Sequence, residues 1–376
     1  MPNQTNLTLF GEMYGEDKFF VDFGSHMKFN KYYKYEKMLS YYSLLLTVIG
    51  TVCNLTSFII MHHKNMRKYT CMRILAILSL SDLFVLYQWN FNMFFQYNLT
   101  RPPHYEDLEE LSLFGCRWVG FFAFSCLQTS SWLLSLVSFD RLMSIYSSWW
   151  TRTMKKESRI NSVIYSVVVV IFLINSHLIF MNGYIKSEID VHNQTIHKVV
   201  CYKALNDPFY INPNWQYVHL ILYSIAPFVI MLSCNSIIIL NVIFCRRVHS
   251  KTKSSAKKKR RLTLMLILVT FSFIILTLPS VVLHTFFRIM LRDKSYKRLA
   301  YMIVSNLLHT SHAINFFLYI YSSPNFRSEF LKLFHYFKKK NELRREKTNI
   351  DRERRIRSSR VKTLKSSLMA ETDLET

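Results

Sequence analysis

"SLVSFDRLMSIY", residues 135–146, closes an apolar run that begins near Phe114. Its two charges, Asp140 and Arg141, are neighbours in the chain. Side chains one residue apart do not face each other on a helix, which raises the question of what needs both charges there. Burying either one in lipid is costly. The run exceeds the ~20 residues that cross a bilayer as helix. It therefore predicts a tilted or projecting membrane helix whose charged end reaches water.

Six more runs of this kind flank it, at about 39–61, 71–95, 160–181, 216–245, 260–287 and 299–322. The expected fold is all-α: an integral membrane bundle of seven transmembrane helices over residues 39–322. Residues 1–38 precede it as a polar segment, in which no charged leader and short apolar stretch suggest a cleavable signal. The chain has 376 residues, is 50% hydrophobic and carries a formal charge of +24. A soluble basic protein of that size could bind nucleic acid. The clustering of apolar residues into spans argues against that reading, and no nucleic acid is expected.

Basic residues set the expected sidedness. Segments 62–70, 147–159, 246–261 and 323–376 hold 31 Lys and Arg; the alternate segments hold 14. The N-terminus is expected outside and the C-terminal tail in the cytoplasm. Glycosylation acceptors of the N-x-[ST] type at Asn3, Asn6, Asn98 and Asn193 all fall on the expected outer side. Of seven cysteines, only Cys116 and Cys201 fall on that oxidising side. A Cys116–Cys201 disulfide would pin the loop 182–215 across the bundle; two free thiols are the alternative.

Asp82 lies about 17 Å into the second span at 1.5 Å per residue. A carboxylate there costs ~2.5–3.5 kcal/mol on insertion scales, so it is expected to face the bundle interior. Asn54, Ser130, Ser311, His312 and Asn315 lie in neighbouring spans and could join it in a small water or sodium site. Pro227 and Pro279 interrupt spans five and six; each is either a tolerated distortion or a hinge.

With these residues in order, the chain resembles the rhodopsin-like (class A) G-protein-coupled receptors over roughly 38–337. The resemblance rests on Asn54 in "GTVCN", Asp82 in "LSLSD", Cys116 ahead of Asp140-Arg141, Pro227, Pro279, and Asn315 to Tyr319 in "NFFLY". There are departures. Leu142 replaces a Tyr after Asp140-Arg141, Phe316 replaces a Pro after Asn315, and Thr277 replaces a Trp two residues before Pro279, although Phe273 keeps an aromatic one turn earlier. Span seven looks most like invertebrate neuropeptide receptors of the FMRFamide-like kind.

The resemblance implies roles. Arg141 would contact Asp140 at rest and a heterotrimeric G protein when active. Asp82, Asn54 and Asn315 would form a polar network, with Asp82, Ser130, Ser311 and Asn315 as a candidate site for an allosteric sodium ion. Tyr319 would swing towards Arg141, and Pro227, Pro279 and Phe273 would take part in activation. No other cofactor is implied. Ala123 stands where amine receptors carry an Asp, so a monoamine is not expected; an extracellular peptide is the preferred ligand, with a lipid or small molecule as the alternative.

Past span seven, "SSPNFRSEFLKLFHYF" places Phe326, Phe330, Leu331, Phe334 and Phe337 at helical spacing. That predicts an amphipathic eighth helix at 323–337 lying on membrane lipid. Residues 338–376 are charge-dense and apolar-poor and are expected to lack order; their Ser and Thr could recruit arrestin once phosphorylated. A transporter or channel, the competing class, usually carries several intramembrane charges. This chain has one deep acid and only seven Gly. An enzyme is not expected, because His177 and His312 have no evident nucleophile partner. The expected place of work is the plasma membrane.

Overall fold

The computed structural model describes residues 31–99, 107–189, 193–207, 210–244, 253–288, 290–291, 293–336, 338–346, 348 and 350. Asn3, Asn6, Phe337, part of the basic link 246–261 and residues 351–376 lie outside them.

Spans one to three are continuous helices at Tyr33–His62, Thr70–Asn98 and Leu113–Tyr146. Span three begins where the Ser112 hydroxyl accepts from the Gly115 N–H at 2.9 Å, a standard way to satisfy a free amide in the first turn. At 34 residues it is about 51 Å long. It threads the middle of the bundle: 78% of its apolar window is buried, against 22% for span four. It packs on spans two, four, five and six.

Span four runs Glu157–Asn175, breaks, and resumes at Leu178–Met181. The break falls at Ser176 and His177, whose side chains bond back to the Leu173 and Ile174 carbonyls at 2.8 and 2.9 Å. Such back-bonding competes with the helical ladder. Strands β1, Tyr184–Ile189, and β2, Thr195–Val200, follow as an antiparallel hairpin with Tyr184 opposite Val200.

Span five starts earlier than its hydropathy predicts, with wide-turn helix at Tyr210–Trp215, then Gln216–Leu220, Ile221–Ile225 and Ala226–Phe244. Pro227 accounts for the wide turn just before it, Ile221–Ile225. It has no N–H for the Tyr223 carbonyl one turn before it. Span three supplies the missing donors: Ser131 Oγ to Tyr223 O at 2.6 Å and Trp132 Nε1 to Leu222 O at 2.8 Å. Ser135 Oγ reaches Pro227 O at 3.2 Å. Neighbouring side chains often rescue carbonyls freed by proline in a membrane helix.

Span six is one helix, Lys253–Phe286, with Pro279 inside it. Span seven is two helices, Lys297–Ala313 and Asn315–Ser322, parted at Ile314. Among the described residues six helices are long and apolar enough to cross a membrane; the seventh is divided by this break and carries Asn306, His309 and His312 in its first part.

The described residues from Pro324 onward form a second compact unit. Residues 324–336 are helical, with Leu331 and Phe334 exposed, the pattern of an amphipathic surface helix. Residues 338–346 are helical too, where composition led to an expectation of no order. Their Lys, Glu, Leu and Arg are good helix formers, which low hydrophobicity alone does not report.

Candidate functional site

Among the described residues, polar side chains gather at the disulfide end, at mid-depth and at the Arg141 end.

At the disulfide end, Cys116 and Cys201 are bonded, with Cα atoms 5.7 Å apart. Asn182 locks the same corner. Its amide donates to the Cys116 carbonyl at 2.9 Å, and its oxygen accepts from the Tyr202 N–H at 2.9 Å. Gly183 sits beside the bridge at φ +80°, where a Cβ would stand 2.6 Å from Cys116 Sγ, so glycine is required. Tyr202 donates its hydroxyl to Glu109 at 2.8 Å and accepts from Trp89 at 3.2 Å. Asp107, two residues before Glu109, accepts from Asn92 at 2.9 Å and from Gln96. The Gln96 oxygen accepts from Arg298 of span seven at 3.0 Å. Arg298 also lies over the Tyr97 ring, and the Tyr97 hydroxyl bonds buried Glu36 of span one at 2.9 Å.

This web was not legible in the sequence, because its acids come from a short loop and a helix start that no local pattern ties together. Asn98, an expected glycan acceptor, is drawn into it: its amide nitrogen donates to Ser40 Oγ at 2.9 Å and to the Phe94 carbonyl at 3.1 Å. Asn193 is exposed, at φ 59° in the hairpin turn.

Burial pushes the Glu109 carboxyl up to about 8, with the neighbouring Asp107 charge adding to the rise. Glu110 rises to about 7 for the same reasons, tempered by Lys198. Both values exceed the unfolded value near 4.5, so the folded state holds protons that the unfolded chain releases. The linked stability is complete below about pH 4.5 and is lost as pH climbs through about 7 to 8. The purified protein should therefore melt at a lower temperature at pH 8.5 than at roughly pH 5.5. Glu109→Gln should remove much of that slope. An unchanged slope in the variant would rule Glu109 out as its source.

At mid-depth, Asp82 is 1% exposed and accepts three hydrogen bonds. Ser130 Oγ and His312 Nδ1 both meet Oδ1, at 2.8 and 2.7 Å, and Asn315 Nδ2 meets Oδ2 at 2.8 Å. Asn54 Nδ2 donates to the His312 carbonyl at 3.1 Å. That bond takes a carbonyl just before the break at Ile314. The grouping of Asp82, Asn54, Ser130 and Asn315 thus agrees with the sequence reading. Ser311 departs from it: its hydroxyl turns back to the Leu308 carbonyl at 2.6 Å, and His312 holds the place beside Asp82. Positions 311 and 312 differ by about 100° around a helix. The choice between them is therefore a matter of helix rotation.

His312 is also the end of a column of rings. Phe124 meets His219 at 4.7 Å and His219 stacks on Tyr223 at 5.2 Å. Tyr223 meets Phe273 edge-on at 6.2 Å, and Phe273 meets His312 edge-on at 5.7 Å. Phe273 of span six is 2% exposed. Any swing of span six must move it against the residue that holds Asp82. Thr277, in place of a Trp, hydrogen-bonds the Phe273 carbonyl at 2.7 Å and adds no ring to the column.

At the opposite end, Arg141 folds back on its neighbour, with Nε 3.2 Å from Asp140 Oδ2. The contact is the one that the resemblance implies at rest, made although the two are neighbours along the helix. The long guanidinium stem curls over one peptide unit, and Asp140, 1% exposed, has lost water as a partner. A second donor comes from the short helix Ser148–Met154: Trp150 Nε1 reaches Asp140 Oδ1 at 3.2 Å. Its ring packs edge-on to Phe139 at 5.4 Å. Trp150 was missed in the sequence because nothing in "SSWW" marks one Trp as bonded. Tyr319 of span seven is fully buried.

Trp150→Phe keeps the ring contact and deletes the N–H. If the Asp140 cluster holds the resting state, losing about 1 kcal/mol should raise agonist-independent signalling about five-fold. Basal cAMP or calcium measured at matched surface expression checks this, and an unchanged basal level counts against the cluster.

The three clusters are built from hydrogen bonds that can exchange partners between helix arrangements. That is the chemistry of a conformational relay. No curated protein matches the chain. The family description "7 transmembrane receptor (rhodopsin family)" matches residues 38–319. Members of that family are receptors rather than enzymes, multi-pass in the membrane, and couple an extracellular ligand to a G protein. With its seven spans, its disulfide-pinned hairpin and its buried Asp82, this chain belongs to the rhodopsin family of seven-transmembrane receptors.

Proposed function

We propose that this receptor answers an extracellular neuropeptide and relays it to a heterotrimeric G protein at the plasma membrane. In this reading the N-terminus and the disulfide end face outward, and the Arg141 end and the basic tail face the cytoplasm. The basic residues at the Arg141 end support that sidedness. The hairpin carries the ligand reading. It is a two-stranded sheet with open edges, and its Ile185, Ile189 and Ile196 are 55%, 73% and 48% exposed. An extended peptide can add to such an edge and place alternate side chains on exposed apolar surface. Ala123, fully buried, offers no acid to a monoamine.

At the other end, Arg141 exchanges Asp140 for the G protein, and Tyr319 moves towards it. Pro227 and Pro279 supply the bends about which spans five and six rearrange. Phosphorylated tail residues take arrestin, and the helix 324–336 rests on membrane lipid.

A panel of neuropeptides applied to cells expressing the chain, with calcium and cAMP as readouts, tests the reading. A peptide should give a response, and Arg141→Ala should abolish it while leaving the receptor at the surface. A response confined to a lipid or small molecule would remove the peptide from the proposal. Ligand-independent solute uptake would favour a transporter instead.

A further inference from the structure

Rhodopsin-family chemistry invites a sodium ion at the deep acid, with Asp82, Ser130, Ser311 and Asn315 as the expected ligands. The side chains present do not fit one. Sodium needs several oxygen lone pairs converging on one point, as hard cations do. Here both carboxylate oxygens of Asp82 already face donors: a hydroxyl, a ring nitrogen and an amide N–H₂. Ser311 directs its hydroxyl to the Leu308 carbonyl. Asn54 Oδ1 is buried without a hydrogen-bond partner, but the Asn54 amide is turned to the His312 carbonyl rather than to Asp82.

The imidazole stands in the way for two reasons. It is bulky, and it is itself the donor that a bare carboxylate would otherwise seek from a cation. It is also fixed on each side. Its own carbonyl is held by Asn54 at 3.1 Å, and the Phe273 ring abuts it at 5.7 Å. His312 is 1% exposed, so no water competes for Nδ1.

We propose that His312 occupies the place of a cation at Asp82, so that the receptor binds no sodium there and its bundle is insensitive to sodium as such. The tie between spans two and seven is then a permanent part of the chain. A movement of span six reaches Asp82 through Phe273 and the His312 ring, without an ion having to leave. The inference concerns the bundle and stands whichever ligand class the receptor takes.

The test is thermal unfolding of the purified full chain in sodium chloride against choline chloride at equal ionic strength. Wild type should melt at the same temperature in both. His312→Ser opens the space and leaves Asp82 short of a donor. It should gain a sodium-specific rise of about 4 °C at a sodium concentration ten times its dissociation constant. Adding Asp82→Asn should abolish that gain. A sodium-specific rise in wild type that disappears in Asp82→Asn overturns the proposal. So does a folded His312→Ser that shows no sodium gain. If His312→Ser does not fold, the wild-type comparison still decides: equal melting supports the proposal and a sodium-specific rise ends it.

Discussion

Asp82→Ala should lower the stability of the folded bundle by about 3–5 kcal/mol, the cost of removing one partner from a buried charged cluster. Three donors would lose their acceptor at once: Ser130 Oγ, His312 Nδ1 and Asn315 Nδ2. None can turn to water, because Ser130, His312 and Asn315 are at most 4% exposed. Each orphaned group costs about 1–3 kcal/mol if it finds no new partner. Three such groups sum to about 3–9 kcal/mol, and partial repacking keeps the loss in the lower part of that span. Asp82→Asn should cost less, since its amide oxygen still accepts from Ser130 or His312. Its NH₂ would face the NH₂ of Asn315, so some loss remains. Thermal unfolding in one detergent, with all three proteins measured together, checks the ranking. An Asp82→Ala protein that melts within a degree of wild type would mean that the cluster contributes nothing to stability.

The second large effect is expected at the disulfide. Cys116 and Cys201 close a loop of 85 residues. Chain-entropy arithmetic gives about 4.5 kcal/mol for a loop of that length. That figure is an upper value here. Spans three and four remain helical in a membrane even when tertiary packing is lost, so the effective loop is shorter than its residue count. Cys201→Ser should nonetheless sharply reduce surface expression and ligand response. It frees the hairpin and loosens Tyr202, whose N–H and hydroxyl tie the loop to Asn182 and Glu109. The double variant Cys116→Ser/Cys201→Ser should be no worse than either single one, because both delete the same bond. If the two single losses add, the cysteines act separately and the bridge is not the cause.

Several features were legible without coordinates. Runs of apolar residues long enough to cross lipid gave the spans, because bilayer thickness fixes helix length. A lone deep acid had to turn inward, and Asp82 does. Two cysteines set apart from the other five pointed to the bridge that the structure contains. Span five differed for a reason that the sequence half contained. Pro227 was visible, but the donors that accommodate it, Ser131 and Trp132, sit on another helix.

The amino-acid sequence by itself determined how many times this chain crosses a membrane, that it belongs to a helix bundle, and that Asp82 needed partners. These follow from transfer energies that act residue by residue along the chain. Only tertiary structure decided who the partners are: His312 rather than Ser311 at Asp82, Trp150 at Asp140, and Tyr202 at Glu109. The reason is geometric. A hydrogen bond is made or lost within about half an ångström. One residue of helix rotation swings a side chain by about 100°, and no local pattern fixes that angle between separate helices.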